Sequence, residues 1–277
     1  MNQSTIQTAV HAFSEHSRPY RRPEISAQQQ SNEIIVDSLD TAFRATASIK
    51  NCRGKGDVVT LVTALLRYCE LEHFFLISLL RDHDGHECVS YLIGCSPEWA
   101  QRYEARKWHA IDPFVAHAAT SGQPILLSEM HPASPGQADL LAAATRYGFR
   151  SGMVLPTHWG AHARIGLLYV GCDKPPAAIE AQLIQNRTLL REVAMELYEW
   201  WDARLQSEAM LALRLDEIDL QLLRLEHQGC TSQQIRNILG FTLSRINCRF
   251  RRINDKLSVR GRRRAAEKAV LLGVLRD

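Results

Sequence analysis

The sequence lacks the paired cysteines from which structural disulfides and zinc sites are usually built. Its seven cysteines are an odd number, and no two of them form a CxxC pair. Disulfide frameworks and zinc ribbons need regularly spaced, paired cysteines. We therefore expect reduced thiols and a cytoplasmic protein.

Long hydrophobic runs are also missing. The first residues, MNQSTIQTAVHAFSEHSRPYRRPE, contain no apolar core of the kind found in signal peptides. No run approaches the about 18 apolar residues that a membrane span requires. Gln, Ser, His and Arg dominate residues 1–30, which we predict to be a flexible tail.

Enzyme signatures are absent from the sequence. It contains no GxSxG, no glycine-rich phosphate loop and no HExxH or comparable metal spacing. We expect neither an enzyme nor a cofactor. His83, His86 and Glu87 could hold a metal, but polar residues of a turn are the simpler explanation.

What the sequence does contain is an uneven distribution of charge. Residues 207–277 carry 14 Lys and Arg against 8 Asp and Glu, whereas residues 1–206 carry 19 against 22. A compact basic segment is typical of nucleic-acid binding. A solvated charged face is the alternative interpretation.

Residues 31–204 predict a ligand sensor built from alternating helices and strands. Their hydrophobic periodicity gives the order ααββααβαββα, with a hairpin between His73–Leu80 and Cys88–Gly94. Helices on both sides of a mostly antiparallel sheet form an α/β/α sandwich. Such a module can enclose a ligand between sheet and helices.

A long helix is predicted over residues 176–204, with a linker over residues 205–214. Its apolar residues alternate four and three positions apart, with Asn186 as the one polar break, at Ile179, Leu183, Leu190, Val193, Leu197 and Trp200. This a/d seam packs either on its own domain or against a second copy. We favour the second copy, and therefore a homodimer.

Residues 215–277 predict an all-α helix-turn-helix domain of four helices. Gly229 and Gly240 separate the first three helices, Thr231 and Thr242 cap the second and third, and the third carries a strongly basic face. Its apolar stripe lies at Ile246, Phe250, Ile253 and Leu257. Such a helix fits the major groove of DNA. A small helical bundle with a basic surface is the alternative.

Two sets of motifs carry a resemblance to one family. Leu215-x3-Asp219, Gly229-Cys-Thr-Ser and Lys256-Leu-x-Val-Arg260 resemble the DNA-binding domain of LuxR-type regulators. Trp99-x3-Tyr103-x8-Asp112-Pro113, followed by Pro124 and Tyr147-Gly-Phe-Arg-Ser-Gly152, resembles the autoinducer-binding domain of the quorum-sensing branch. The fold class expected from this resemblance is α+β, a sandwich sensor followed by a four-helix domain.

The resemblance implies an N-acyl-homoserine lactone or a similar acyl ligand. Trp99 would donate to the lactone carbonyl, Asp112 would accept from the amide N–H, and Tyr103 would line the acyl chain. Three further pocket positions depart from the family's usual Tyr, Trp and Ser or Thr, at Cys95, Leu127 and Tyr169. Alternatively, Trp99 and Tyr103 are ordinary core residues and Asp112 is only a helix N-cap.

The resemblance also implies base contacts from Asn247, Cys248 and Arg251. The remaining expected DNA contacts are Ser244, Arg245, Arg249, Arg252 and Arg263. Arg236 replaces a usual Ala, which puts the packing of the second helix in question. The expected partners are double-stranded DNA, an autoinducer and a second copy. The function implied is a ligand-responsive transcription regulator; the alternative is a DNA-incompetent or ligand-independent member that acts by heterodimerisation.

Overall fold

The described chain divides into two compact units at Trp201 and Asp202. The computed structural model describes residues 36–81, 87–158 and 164–275. The predicted tail and the hairpin turn with His83 and His86 lie outside these residues. We refer to the unit that ends at Trp201 as the sensor domain and to the unit that begins at Asp202 as the C-terminal domain.

The first unit follows the predicted order of helices and strands. Its helices are α1 (Leu39–Ala47), α2 (Lys55–Tyr68), α3 (Pro97–Ala105), α4 (Pro113–Thr120), α5 (Pro135–Arg146), α6 (Pro176–Gln185) and α7 (Arg187–Leu213). Its strands are β1 (His73–Arg81), β2 (Glu87–Gly94), β3 (Ile125–Leu126), β4 (Ser151–His158) and β5 (Arg164–Cys172). The single helix predicted over 176–204 is two helices, because α6 ends at Asn186, whose side chain bonds back to the Gln182 carbonyl at 3.1 Å. Nowhere in the described ranges does a helix have the length and apolar character needed to cross a bilayer.

The five strands form one sheet with the order β2-β1-β5-β4-β3, and every neighbouring pair is antiparallel. Side chains of a strand alternate between the two faces. In β1, Phe75 and Ile77 therefore face one side of the sheet, whereas Phe74 and Leu76 face the other. All four are buried, so both faces of the sheet are covered.

Different helices cover the two faces. The face with Phe75 packs with side chains from α3, α4 and α5. On the opposite face, Tyr198 of α7 approaches Gly166 so closely that a Cβ there would lie 2.4 Å from its ring, and Trp201 Nε1 donates to Ser90 Oγ at 3.3 Å. The α/β/α sandwich is thus confirmed.

The apolar seam of α6 and α7 is buried within its own chain. Leu190 is 1% exposed, and four further members are equally covered, at Ile179, Leu183, Val193 and Leu197. Trp200 is partly buried and donates to the Cys52 carbonyl at 2.8 Å. The interpretation that this seam pairs with a second copy is wrong, because its own domain already removes these side chains from water.

The predicted linker is largely helical. α7 continues to Leu213, and both Ala209 and Leu213 are buried in the hydrophobic core of the C-terminal unit. Only residues 214–216 separate α7 from the next helix. The predicted linker is therefore anchored by two buried side chains, Ala209 and Leu213, one helical turn apart.

The C-terminal unit contains the four predicted helices, α8 (Glu217–His227), α9 (Ser232–Leu239), α10 (Leu243–Leu257) and α11 (Arg262–Leu271). Gly229 and Gly240 take positive φ, which ends α8 and α9 at low steric cost. Thr231 and Thr242 cap α9 and α10 as predicted. Arg236 does not disturb the packing, because it is exposed while its neighbour Ile235 fills the core.

A buried carboxylate joins α8 to α10. Asp219 is fully buried and accepts from Arg249 at 2.8 Å, Arg252 at 2.9 Å and Lys256 at 3.3 Å. Arg249 also donates to Asp216 at 2.6 Å, and this contact lowers the pKa of Asp216 to about 2. Three cations from one face of α10 thus fix its position on α8.

Leu190→Asp should destabilise the sensor domain itself rather than release folded monomers, because it buries an unpaired charge. We expect a loss of more than about 3 kcal/mol in unfolding free energy, measured by urea unfolding followed by tryptophan fluorescence. Ile184→Asp is the control, since Ile184 is 56% exposed. A stable, folded monomer from Leu190→Asp would show that a second copy covers this side chain.

Asp219→Asn should loosen the contact between α8 and α10 by about 1–3 kcal/mol, because Lys256 loses its carboxylate partner while Asp216 still binds Arg249 and Arg252. Hydrogen exchange of the α10 amides, read by mass spectrometry on the whole chain, measures this. The exposed Asp255 of the same helix offers a matched control, Asp255→Asn. Equal exchange in the two variants would mean that the ion pairs contribute nothing to the docking of α10.

Candidate ligand-binding site and nucleic-acid interface

An aromatic cluster occupies the face of the sheet beneath α3 and α4. Phe75, at the centre of β1, lies 5.3 Å from Tyr91, 6.1 Å from Trp99, 5.2 Å from Tyr103 and 6.2 Å from Tyr169, measured between ring centroids. Rings at these distances and tilts attract one another beyond their burial. The cluster therefore forms rigid walls of aromatic carbon.

Asp112 is the charged group within this apolar environment. It caps the N-terminus of α4, where its Oδ1 accepts from the Phe114 N–H at 2.8 Å and Pro113 takes the first helical position. The N-cap interpretation is therefore correct as far as it goes. Asp112 is only 2% exposed, so its second oxygen is buried as well.

That second oxygen, Oδ2, accepts from two tyrosines. Tyr103 of α3 donates to it at 2.6 Å, and Tyr169 of β5 donates to the same atom. Burial raises the pKa of the Asp112 carboxyl, while the two tyrosine hydrogen bonds oppose that rise. Burial, reinforced by Asp112, raises the pKa of both tyrosines well above the ordinary value, so both hydroxyls remain donors at neutral pH.

Trp99 presents the opposite situation, a buried donor without an acceptor. Its ring contacts Tyr103, Trp108, Tyr147 and Phe149 at 5.7–5.9 Å between centroids. The indole Nε1 is buried and has no hydrogen-bond partner within the described ranges. An unsatisfied buried donor costs about 1–3 kcal/mol, so such an atom calls for an explanation. An acceptor on a bound molecule would satisfy it.

Cys95 and Leu127 complete the predicted set. Both are partly buried and pack against the aromatic cluster. Burial raises the pKa of the Cys95 thiol to about 12, which keeps it neutral, and the thiol makes a weak polar contact to the Ser96 carbonyl at 3.8 Å. The structure thus brings all six predicted pocket residues into one region.

Sequence reasoning missed much of the aromatic wall. Phe75, Tyr91, Trp108 and Phe149 belong to the cluster, yet none was singled out. Their signal was present, because Phe75 and Tyr91 occupy inward positions of predicted strands. An inward position alone does not distinguish a pocket wall from ordinary core.

The predicted base-reading face lies on α10. Its buried stripe is as predicted, and the opposite side exposes Ser244, Arg245, Asn247, Cys248 and Arg251. Arg245 stacks on the Phe241 ring at 3.9 Å. Arg262 of α11 donates to Asn247 Oδ1, which orients that amide. Arg263 of α11 is 89% exposed in its side chain and pairs with Glu267 at 3.0 Å.

Arg249 departs from its predicted role. Its side chain is 19% exposed and its guanidinium is engaged by Asp216 and Asp219. Arg252 shares these acids but remains 49% exposed. The structure therefore places Arg249 within the domain, as part of the contact between α8 and α10, and away from the exposed face. Arg252 lies between the two environments.

Side chains of the types that can ligate a metal ion lie together at one place in the described ranges. The ligand atoms of Glu72, His73 and Asp173 lie within 4.8 Å of one another, and both acids are exposed. Exposed acids commonly cluster without an ion, so we assign no site. Glu87 pairs with Arg81 at 2.6 Å and lies 3.5 Å from His109.

Comparisons with known proteins identify the family of the chain. Residues 55–199, slightly more than half of the chain, match the family described as "Autoinducer binding domain". The chain is 29% identical over 192 residues to the transcriptional activator PhzR of Pseudomonas fluorescens, a match that covers 67% of this chain and 76% of that protein. It is 22% identical over 223 residues to the quorum sensing-dependent regulator RpaR of Rhodopseudomonas palustris, covering 79% and 88%. These relatives are transcriptional regulators rather than enzymes, as the sequence predicts.

Solved structures show the same fold. The crystal structure of Escherichia coli SdiA matches with a TM-score of 0.61 at 18% identity, over 87% of this chain and 100% of that one. SdiA in complex with octanoyl-rac-glycerol matches with a TM-score of 0.59 at 16% identity, over 87% and 98%. Family match, relatives and fold agree: the chain belongs to the LuxR-type quorum-sensing transcriptional regulators, and residues 55–199 are its autoinducer-binding domain.

Proposed function

We propose that the sensor domain binds an acylated small molecule, with an N-acyl-homoserine lactone as the favoured head group, and that two copies read DNA through α10 in the cytoplasm. The observation that carries the ligand proposal is Trp99 Nε1, a buried donor with no acceptor among the described residues. It lies in the same aromatic cluster as the buried carboxylate of Asp112.

The chemistry of these two groups matches an acylated head group. Pockets for small molecules are mostly apolar and use a few fixed polar groups to orient the ligand. Trp99 would donate to a carbonyl of the ligand, and the aromatic walls around Phe75 would cover an acyl chain. SdiA in complex with octanoyl-rac-glycerol supports treating the acyl chain and the lactone as separate requirements for binding, because that ligand joins an acyl chain to a glycerol.

The basic face of α10 supports DNA binding. Its exposed side chains combine short residues near the start of the helix, at Ser244 and Cys248, with guanidinium groups at Arg245 and Arg251. Short side chains allow close approach to the groove, and an Arg can bind a guanine edge through two hydrogen bonds. We assign base contacts to Asn247, Cys248 and Arg251.

Reading paired half-sites requires two copies of α10. Because the seam of α6 and α7 is buried, other surfaces must join the copies. Exposed apolar side chains at Leu39 and Phe43 offer such surface on the sensor domain.

Trp99→Phe should keep the wall and delete the donor. In a thermal-shift series of N-acyl-homoserine lactones, a ligand at about a hundred times its dissociation constant adds about 2.7 kcal/mol to the wild type. We expect Trp99→Phe to weaken binding about tenfold, because one hydrogen bond is lost. Trp108→Phe makes the same change in a neighbouring buried ring and should weaken binding less.

Asp112→Ala is a poorer test, because it also removes the cap of α4 and the acceptor of two tyrosines. If no acylated lactone stabilises the folded wild type, a ligand-independent regulator becomes the better interpretation. If Trp99→Phe and Trp108→Phe weaken binding equally, the indole N–H does not contact the ligand.

Arg251→Ala should relax the base preference of the protein and cost about 1–3 kcal/mol on the preferred site, because it removes a base contact. Arg263→Ala should weaken all duplexes alike, since Arg263 lies on α11, away from the base-reading face. A selection from random duplexes, followed by binding measurements at fixed salt, compares them. Uniform weakening by both changes would contradict the base-reading assignment, and a wild type that binds no duplex would favour a DNA-incompetent partner of another regulator.

A further inference from the structure

The two polar groups of the ligand site differ in how well they are satisfied. Trp99 Nε1 has no acceptor in the described part of the chain, whereas Asp112 already has three donors. Those donors are the Phe114 N–H on Oδ1 and the hydroxyls of Tyr103 and Tyr169 on Oδ2. A bound ligand would therefore be stabilised mainly by an acceptor for the Trp99 N–H, and much less by a further donor to Asp112.

A carboxylate offers about four lone-pair positions, two on each oxygen. The two tyrosines occupy Oδ2, and the N-terminus of α4 occupies one position on Oδ1. Only one position remains, and it lies on the oxygen that also caps the helix. A ligand N–H that approached Asp112 would add little, because the carboxylate is already compensated for its burial.

Tyr169 is the residue that distinguishes Asp112 from Trp99, because its hydroxyl is one of the donors that satisfy the carboxylate. It stands on β5, is 3% exposed, and is held by ring contacts to Phe75 at 6.2 Å, Phe114 at 5.4 Å and Phe149 at 6.3 Å. A serine or threonine at the same position would carry its hydroxyl on Cβ, a full phenyl ring short of the Tyr169 oxygen. From that backbone position, only a tyrosine places a hydroxyl on Asp112.

We propose that Tyr169 is a specificity-determining residue whose hydroxyl supplies Asp112 with the hydrogen bond that a ligand amide would otherwise provide. The sensor then selects its ligand by the carbonyl that Trp99 requires and does not require the N–H. Acyl esters and acyl amides of one head group should bind comparably. This inference rests on the proposed function, namely that the sensor binds an acylated molecule.

The test uses two ligands that differ at one atom. N-octanoyl-L-homoserine lactone carries an amide, and the octanoate ester of α-hydroxy-γ-butyrolactone replaces its N–H with oxygen. Dissociation constants of both are measured by titration calorimetry on the full chain, for the wild type and for Tyr169→Phe. Tyr147→Phe is the control, since it removes a hydroxyl from the same cluster that is not among the three donors to Asp112.

We expect the wild type and Tyr147→Phe to bind the two ligands within about threefold of each other. Tyr169→Phe should prefer the amide by about tenfold or more, because Asp112 has lost a donor that the ligand N–H can replace. Tyr103→Phe removes the other donor from the same oxygen and should shift the preference in the same direction. If Tyr169→Phe does not fold, Tyr103→Phe is the variant that tests the proposal.

The outcomes separate the inference from the function on which it rests. A wild type that binds only the amide supports the proposed function and overturns the role of Tyr169. An amide preference that is unchanged in both tyrosine variants also overturns it. If neither ligand binds the folded wild type, the acyl-ligand function fails, and the inference fails with it.

Discussion

The sensor domain is organised around the burial of one carboxylate. Asp112 lies where three separate parts of the chain meet: Tyr103 reaches it from α3, Tyr169 from β5, and Phe114 from the helix that Asp112 itself begins. A buried acid is costly unless donors surround it, so each donor must be held in place. This requirement links three features: the N-cap of α4, the face of α3 that carries Tyr103, and the register of β5, the central strand. The walls of the ligand site are consequences of that arrangement.

The C-terminal domain is also held together by a buried carboxylate, but the groups that bind this carboxylate are cations instead of hydroxyls. Asp219 is buried among cations, whereas Asp112 is buried among hydroxyls. Cations leave the carboxylate firmly paired, which suits a rigid support for α10. Hydroxyls satisfy the carboxylate without placing a cation in the apolar cluster around Asp112. The cations around Asp219 and the hydroxyls around Asp112 thus suit the different roles of the two carboxylates.

Local signals in the sequence predicted the order of helices and strands and the caps at Thr231 and Thr242, whereas the grouping of Trp99, Tyr103 and Asp112 was expected from the resemblance to the LuxR-type family. Two interpretations that failed both depend on which surface covers a residue: the pairing of the α6 and α7 seam with a second copy, and the exposure of Arg249. The spacing of Leu190 and its neighbours is the same whether their own sheet or a second copy buries them. Arg249 occupies a basic helix face in sequence, but its partner Asp219 lies 30 positions away, and no local pattern reveals that contact. Tyr169 and Asp112 are 57 residues apart, so their hydrogen bond was equally invisible.

The placement of the indole rings has an optical consequence. All five tryptophans precede residue 202, so the DNA-binding domain contains none. Trp99 and Trp108 lie 5.7 Å apart inside the aromatic cluster, close enough to exchange excitation energy, and Trp200 and Trp201 form a second pair on α7. Intrinsic emission therefore reports on the sensor alone. A change in the environment of Trp99 would alter the emission of its pair without any label and with no tryptophan background from the C-terminal unit.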